Sequence, residues 1–151
     1  MEKVNNNMPN GSTPQKFIEE IGTSGVFLIT PEGEMTNQKW IQLFGGFFPT
    51  VNYADLGLIL DTRNCDDDAN FEGMQKILSQ AIKSGVSSVT VGVVSGFSGE
   101  IFRTRMAEAV GDIFTFDLKA NVFDDIPAAL KFIEDHLAKK KSNSELKRLR
   151  M

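Results

Sequence analysis

Apolar positions in this chain of 151 residues form short unbroken runs that alternate with longer stretches where they recur every three or four residues. A brief apolar run closed by turn residues predicts a buried strand, and the three-to-four spacing predicts a helix with one face against a core. Val26 to Ile29 is the first such run, closed by Thr30-Pro31, and Pro31 to Gly33 turns the chain. Glu34 to Thr36 then predicts a short returning strand. Thr36 or Asn37 offers an N-cap for a helix carrying Trp40, Ile41, Phe44 and Phe47, which Gly45-Gly46 is expected to fray or end. Leu56 to Leu60 predicts a second buried strand ending at Asp61, followed by a polar loop from Thr62 to Asn70.

Phe71, Met74, Ile77, Leu78, Ala81 and Ile82 share one helical face, stopped by Ser84-Gly85. Val89 to Val94 predicts a third strand, and Ile101, Phe102, Met106, Ala109 and Val110 a helix ending at Gly111. Ile113 to Phe116 reads as a fourth strand and Asn121 to Asp125 as a connection. Ile126, Ala129, Leu130, Ile133 and Leu137 complete a last helix, with Pro127 tolerated in its first turn. Strands alternating with helices imply right-handed crossovers and a mostly parallel sheet, so the expected class is α/β.

Composition narrows the function classes. With Cys65 and His136 as single representatives of their types, the chain has no internal disulfide, no Cys/His zinc set and no Cys–His nucleophile pair. A reducing, cytoplasmic location is expected, and no apolar run reaches the ~20 residues of a membrane span. Residues 1–15 are polar and rich in Asn, and read as a disordered lead before one domain over 16–138. The stretch 139–151 carries a net charge of +5, leaving −9 on the rest. An acidic body repels nucleic-acid phosphates, so nucleic acid is not an expected partner, and the basic tail reads as a solvated extension of the last helix.

The order of elements and the opening GVFLITPEGEMTNQKW, with its Gly33-Glu34-Met35-Thr36 turn, resemble the STAS, or SpoIIAA-like, domain of anti-sigma-factor antagonists. The likeness covers roughly residues 22–138. It implies a mostly parallel sheet of four to five strands with an N-terminal hairpin strand and about four helices. In that family an Asp-Ser-Ser-Gly motif opens the helix after the LILD-like strand, and its second serine is phosphorylated. Here Gly73 stands at the glycine, Glu72 at the phosphorylated position and Asn70-Phe71 before it, so no hydroxyl is present. A carboxylate carries less charge than the roughly −1.5 to −2 of a phosphoserine. The resemblance therefore implies a protein-binding module without the family's phosphorylation switch.

Four constellations compete for a functional role. Asp61 with Asp66, Asp67 and Asp68 is a dense acidic cluster, but its spacing fits no calcium loop, and Asp67 or Asp68 is expected to cap the next helix. Asp61, Ser95 and Lys119, each placed at or past a strand's C-terminal end, resemble the phosphoacceptor set of response-regulator receivers, without the acidic pair that would hold Mg²⁺. Ser95 to Gly99 lacks the Gly-Lys-Ser/Thr of a P-loop, yet Ser98, Gly99 and Arg103 could hold a small anion at a helix start. Phe47 and Phe48 would project as contact residues if the helix broke at Gly45-Gly46. Cys65, beside carboxylates, is expected to be unreactive.

The expected function is a non-enzymatic regulatory module that binds a protein partner through Asp66, Asp67, Asp68, Phe71, Glu72 and Gln75, helped by Phe47 and Phe48. An apolar small molecule or lipid beneath an amphipathic helix is the competing expectation, and receiver-like phosphorylation at Asp61 the third. No cofactor or metal is expected, and a second copy of the chain is an admissible partner.

Overall fold

The computed structural model describes residues 17–22, 25–96 and 99–149, without the side chains of 144, 147 and 148. The disordered lead expected over 1–15 and the candidate Ser98 lie outside the described residues. The strands are β1 (Ile18–Glu20), β2 (Val26–Ile29), β3 (Gly33–Met35), β4 (Asp55–Asp61), β5 (Cys65–Asp67), β6 (Ser88–Val94) and β7 (Asp117–Phe123). The helices are α1 (Asn37–Phe47), α2 (Phe71–Lys83), α3 (Gly99–Ile113) and α4 (Ile126–Leu149).

The main sheet has the order β1-β2-β4-β6-β7, parallel throughout except for the antiparallel edge strand β1. Central β4 and β6 are buried on both faces, as expected of strands covered by helices on each side. Leu58, Val89 and Val93 point to the layer of α1, α2 and α3, whereas Ile59 and Val94 point to α4. Gly57 and Gly92 allow α4 to lie close. A Cβ on Gly57 would stand 2.4 Å from Ile133 Cγ2, and one on Gly92 2.9 Å from Ala129 Cβ.

Three expectations need correction. The hairpin is formed one element earlier than its sequence suggests: β1 returns against β2, while β3 leaves the main sheet and pairs in parallel with β5 inside the polar loop. The fourth strand is Asp117–Phe123, so Asn121 to Phe123 is strand rather than connection. Gly111 misled here, because it serves packing inside α3 and not a helix stop. A Cβ there would meet Leu118 Cβ at 3.0 Å and the Phe116 carbonyl at 3.1 Å. The chain turns later, where Thr115 takes φ 53° and Phe116 N–H donates to the Gly111 carbonyl at 2.8 Å.

The third correction concerns Gly45-Gly46. Thr36 caps α1 as expected, accepting from Lys39 N–H at 3.3 Å, but the helix runs through both glycines to Phe47 and continues as a 3-10 turn, Phe48–Thr50. Stacking of Phe44 on Phe48 at 5.2 Å and the edge contact of Phe27 with Phe47 at 5.0 Å hold the continuation inside. Gly45 admits Gln80 of α2, whose amide donates to the Ile41 carbonyl at 3.3 Å. Residues 139–149 of the basic tail continue α4 directly, and an ion pair between Lys140 and Asp117 ties them to the sheet.

Ile133 is fully buried under the sheet and Leu146 is 52% exposed on the extension. Ile133→Ala is therefore expected to cost about 2–5 kcal/mol, and Leu146→Ala no more than about 0.5 kcal/mol. Urea unfolding of both variants checks the docking of α4, and equal losses would contradict it.

Candidate functional site

The site is built where the C-terminal ends of β4, β5 and β6 meet α1, α2 and α3. β4 and β6 present short branched side chains to the helices, and Ala107 and Ala120 from α3 and β7 add little volume. The helices do not close fully over them. A pocket of ≈130 Å³ remains, its walls including Leu58, Leu60, Val91, Val93, Ala107 and Ala120. Trp40, Phe44 and Phe48 form the side contributed by α1 and its 3-10 turn. Asp67, Glu100 and Arg103 form the polar end, with Thr62 and Thr104.

Each of these polar side chains already has a partner. Trp40 Nε1 donates to Asp67 Oδ1 at 2.9 Å, and Ala69 N–H donates to the same oxygen at 3.0 Å. Arg103 Nη1 donates to Glu100 Oε1 at 3.0 Å. Thr62 Oγ1 donates to the Val94 carbonyl and Thr104 Oγ1 to the Ile101 carbonyl. Glu100 is only 3% exposed. Burial pushes its carboxyl above the ordinary range, the Arg103 guanidinium opposes that, and the neighbouring Asp67 carboxylate pushes it up again. Cys65, next to this cluster, is pushed up to about 12, first by burial and then by Asp67 and Glu100, so its thiol stays protonated at neutral pH.

The structure divides the expected contact residues. Asp66, Asp68, Phe71 and Glu72 are exposed and Gln75 half-buried on the β5–α2 rim. Phe47 and Phe48 are corrected: at 5% and 2% exposure they belong to the core, because α1 does not break before them. Asp67 is turned inward to Trp40, and the cap of α2 is instead Asn70, which accepts from Gly73 N–H at 3.1 Å. Asn37 locks that cap, its amide donating to Asn70 Oδ1 at 2.7 Å while its own oxygen accepts from Asn70 N–H at 3.0 Å. A Cβ at Gly73 would stand 2.1 Å from Asn37 Oδ1, so the glycine makes room for Asn37.

The receiver-like set does not assemble. Lys119 lies inside β7, in register with Thr90, rather than past the strand end. Asp61 is held in two-point contact by Arg63, with Nε to Oδ1 and Nη2 to Oδ2 both at 2.8 Å, which holds its carboxyl below the usual carboxylate range. Arg103, the cation of the expected anion site, has its guanidinium engaged by Glu100 and faces Asp67 and Asp68 besides, and Ser98 lies outside the described residues. Gly99 opens α3 without another described cation of that set beside it. Among the described residues, no three of His, Cys, Asp and Glu gather as they would to hold a metal ion.

Sequence reasoning admitted an apolar ligand beneath an amphipathic helix but missed Glu100 as a buried group and the residues that line the pocket. The Glu100/Arg103 spacing was visible, but nothing in it announces a buried carboxylate. The small residues of β6, β7 and α3 read as ordinary core.

The comparisons extend this picture. No family model matches the chain, and no curated protein does. A solved structure described as an uncharacterised protein from the DUF3478 family with a SpoIIAA-like fold, from Shewanella loihica PV-4, superposes with a TM-score of 0.51. It covers 77% of this chain and 90% of that one at 14% identity. The fold is SpoIIAA-like. Likeness at this identity carries architecture and not activity, so the SpoIIAA-like frame leaves function to the site. Among the described residues no helix is long and apolar enough to cross a membrane.

Glu100 gives a pH test with a definite sign. Well below the ordinary glutamate value of 4.5 the carboxyl is protonated in folded and unfolded chains alike; as pH rises the unfolded chain ionises first and stability falls. Glu100→Gln removes this loss, so the stability difference should move in the variant's favour as pH rises from 4.5 towards neutrality. Urea midpoints across that range measure it, and a difference that stays flat contradicts the raised carboxyl.

Proposed function

We propose that this domain is a non-enzymatic binding protein of the cytoplasm that holds an apolar small molecule in the pocket between the sheet and α1–α3. The observation that carries the reading is the pocket itself: an apolar chamber of ≈130 Å³ whose few polar groups are gathered at one end and already paired. Apolar walls supply affinity, and a small number of placed polar groups supply orientation. Among the described residues the cluster offers no evident nucleophile, with the Cys65 thiol held protonated, Thr62 and Thr104 donating to backbone carbonyls, and Asp61 clamped by Arg63. The single cysteine suits a reducing compartment.

A second reading keeps the rim as a surface for a basic protein partner. Phe71 is 38% exposed and is followed in the chain by exposed Glu72 and preceded by exposed Asp66 and Asp68, so the segment offers an apolar anchor together with negative charge. Such a partner and a pocket ligand would not exclude each other, because the rim residues and the pocket walls are largely different side chains.

Thermal denaturation against a library of apolar compounds tests the first reading. A ligand at a hundred times its Kd stabilises by about 2.7 kcal/mol, a rise in Tm of several degrees for a domain of this size. Such shifts should disappear in Ala107→Phe, whose ring occupies the pocket, while its own Tm holds or rises. Shifts that persist in a folded Ala107→Phe would place binding elsewhere and overturn the reading. For the rim, Phe71→Ser with Glu72→Lys should abolish capture of a basic partner and leave the compound-induced shifts intact.

A further inference from the structure

We propose that the pocket selects a small, uncharged aromatic molecule of about six to ten heavy atoms, bearing one hydroxyl or N–H group that donates to the Asp67–Glu100 end, and rejects long-chain carboxylates. This rests on the ligand-binding reading and fixes the ligand's size, charge and polarity.

Size follows from volume. An apolar cavity of about 150 Å³ accepts benzene, and sites for larger ligands run from about 300 Å³ upwards. At ≈130 Å³ the pocket is the size of a small ring system and far short of the space a long acyl chain needs. On the side of β6, β7 and α3 its walls are short as well as apolar, being formed by Val91, Val93, Ala107 and Ala120.

Charge follows from the polar end. Two carboxylates, Asp67 and Glu100, face one guanidinium, and Arg103 already gives Nη1 to Glu100. A ligand carboxylate would bring a third acidic group to a place where Glu100's side chain is 4% exposed, and Arg103, the cation among the described pocket residues, is already committed to Glu100. The same oxygens suit a donor. Asp67 receives Trp40 and Ala69 on Oδ1, and its carboxylate lies close enough to Glu100 to push that carboxyl upward. Two acidic side chains face the single Arg103 guanidinium here, so an uncharged guest adds nothing to the repulsion that an anion would increase. A phenol or indole places its ring against the walls and its O–H or N–H toward these acceptors.

Calorimetric titration of the full chain with phenol, indole, toluene and decanoate tests the assignment. Phenol and indole should bind roughly 2- to 10-fold more tightly than toluene, the worth of one hydrogen bond. Glu100→Gln should narrow that gap without abolishing toluene binding, and Ala107→Phe should abolish all aromatic binding. Should Ala107→Phe fail to fold, methyl chemical shifts of Met74, Val91 and Ala120 in the unmodified protein locate the probe instead. If decanoate binds more tightly than phenol and moves the same methyl signals, the ligand class is wrong while the pocket remains a binding site. If toluene equals phenol, the role given to the carboxyl end is overturned. If no probe, aromatic or aliphatic, binds at all, the ligand-binding reading falls with it.

Discussion

One carboxylate fastens the three helices that roof the pocket. Asp67 accepts from Trp40 on α1, accepts from Ala69 N–H at the entry to α2, and meets Glu100 on α3. Each contact alone is modest, about 0.5–1.5 kcal/mol net, or up to about 3 kcal/mol where a charge takes part. Their convergence matters more than their sum. Without Asp67 the indole N–H would be left inside with no acceptor, and the rim of the helical layer would lose its common tie. The short sheet of β3 and β5 holds this residue in place, since β5 is the strand that delivers Asp67, and Asp68 N–H extends the pairing to the Met35 carbonyl at 2.9 Å.

The sheet's two faces are finished differently, and the difference creates the space. On the α4 face, glycines at 57 and 92 let the helix backbone descend until Ala129 and Ile133 fill the gap, both fully buried. On the opposite face three helices must share one sheet. Bulk is concentrated at the α1 end, where Phe27, Phe44, Phe47 and Phe48 pack ring against ring. Toward β6 and β7 the side chains shrink to valine and alanine, and α3 is held at its far end by Gly111 against Phe116 and Leu118 and by Glu108 Oε2 accepting from Ala120 N–H at 2.9 Å. Interiors are normally filled to crystal-like density, so an apolar space of this kind in a chain of ordinary composition is where a ligand reading earns support.

Much of the frame was legible from periodicity, and the errors have physical reasons. The runs at Val26, Leu56 and Val89 are strands because their residues are buried on both sides, and the spacing from Phe71 to Ile82 is a helix because one face is. β7 was displaced because it is an edge strand with an alternating polar pattern, and Gly111 resembles a stop while serving as a packing notch. β5 carries no strand signal, since Cys65-Asp66-Asp67 is held by pairing with β3 and not by its own apolarity. At the site, the rim carboxylates and Phe71 could be placed from sequence, but Phe47 and Phe48 could not, because aromatic packing overrode two helix-weakening glycines. The pocket is a property of what side chains fail to fill, and no local pattern encodes that.

The central claim is that a dry, accessible space lies over β4, β6 and β7. Diffraction from crystals held under xenon pressure tests it most directly, because xenon enters apolar cavities of this size without needing a polar anchor. The account predicts a xenon site bounded by Val91, Ala107 and Ala120, with Trp40, Asp67 and Glu100 unmoved. Crystals that show no xenon there, with Met74 or Phe48 swung into the space, would contradict it.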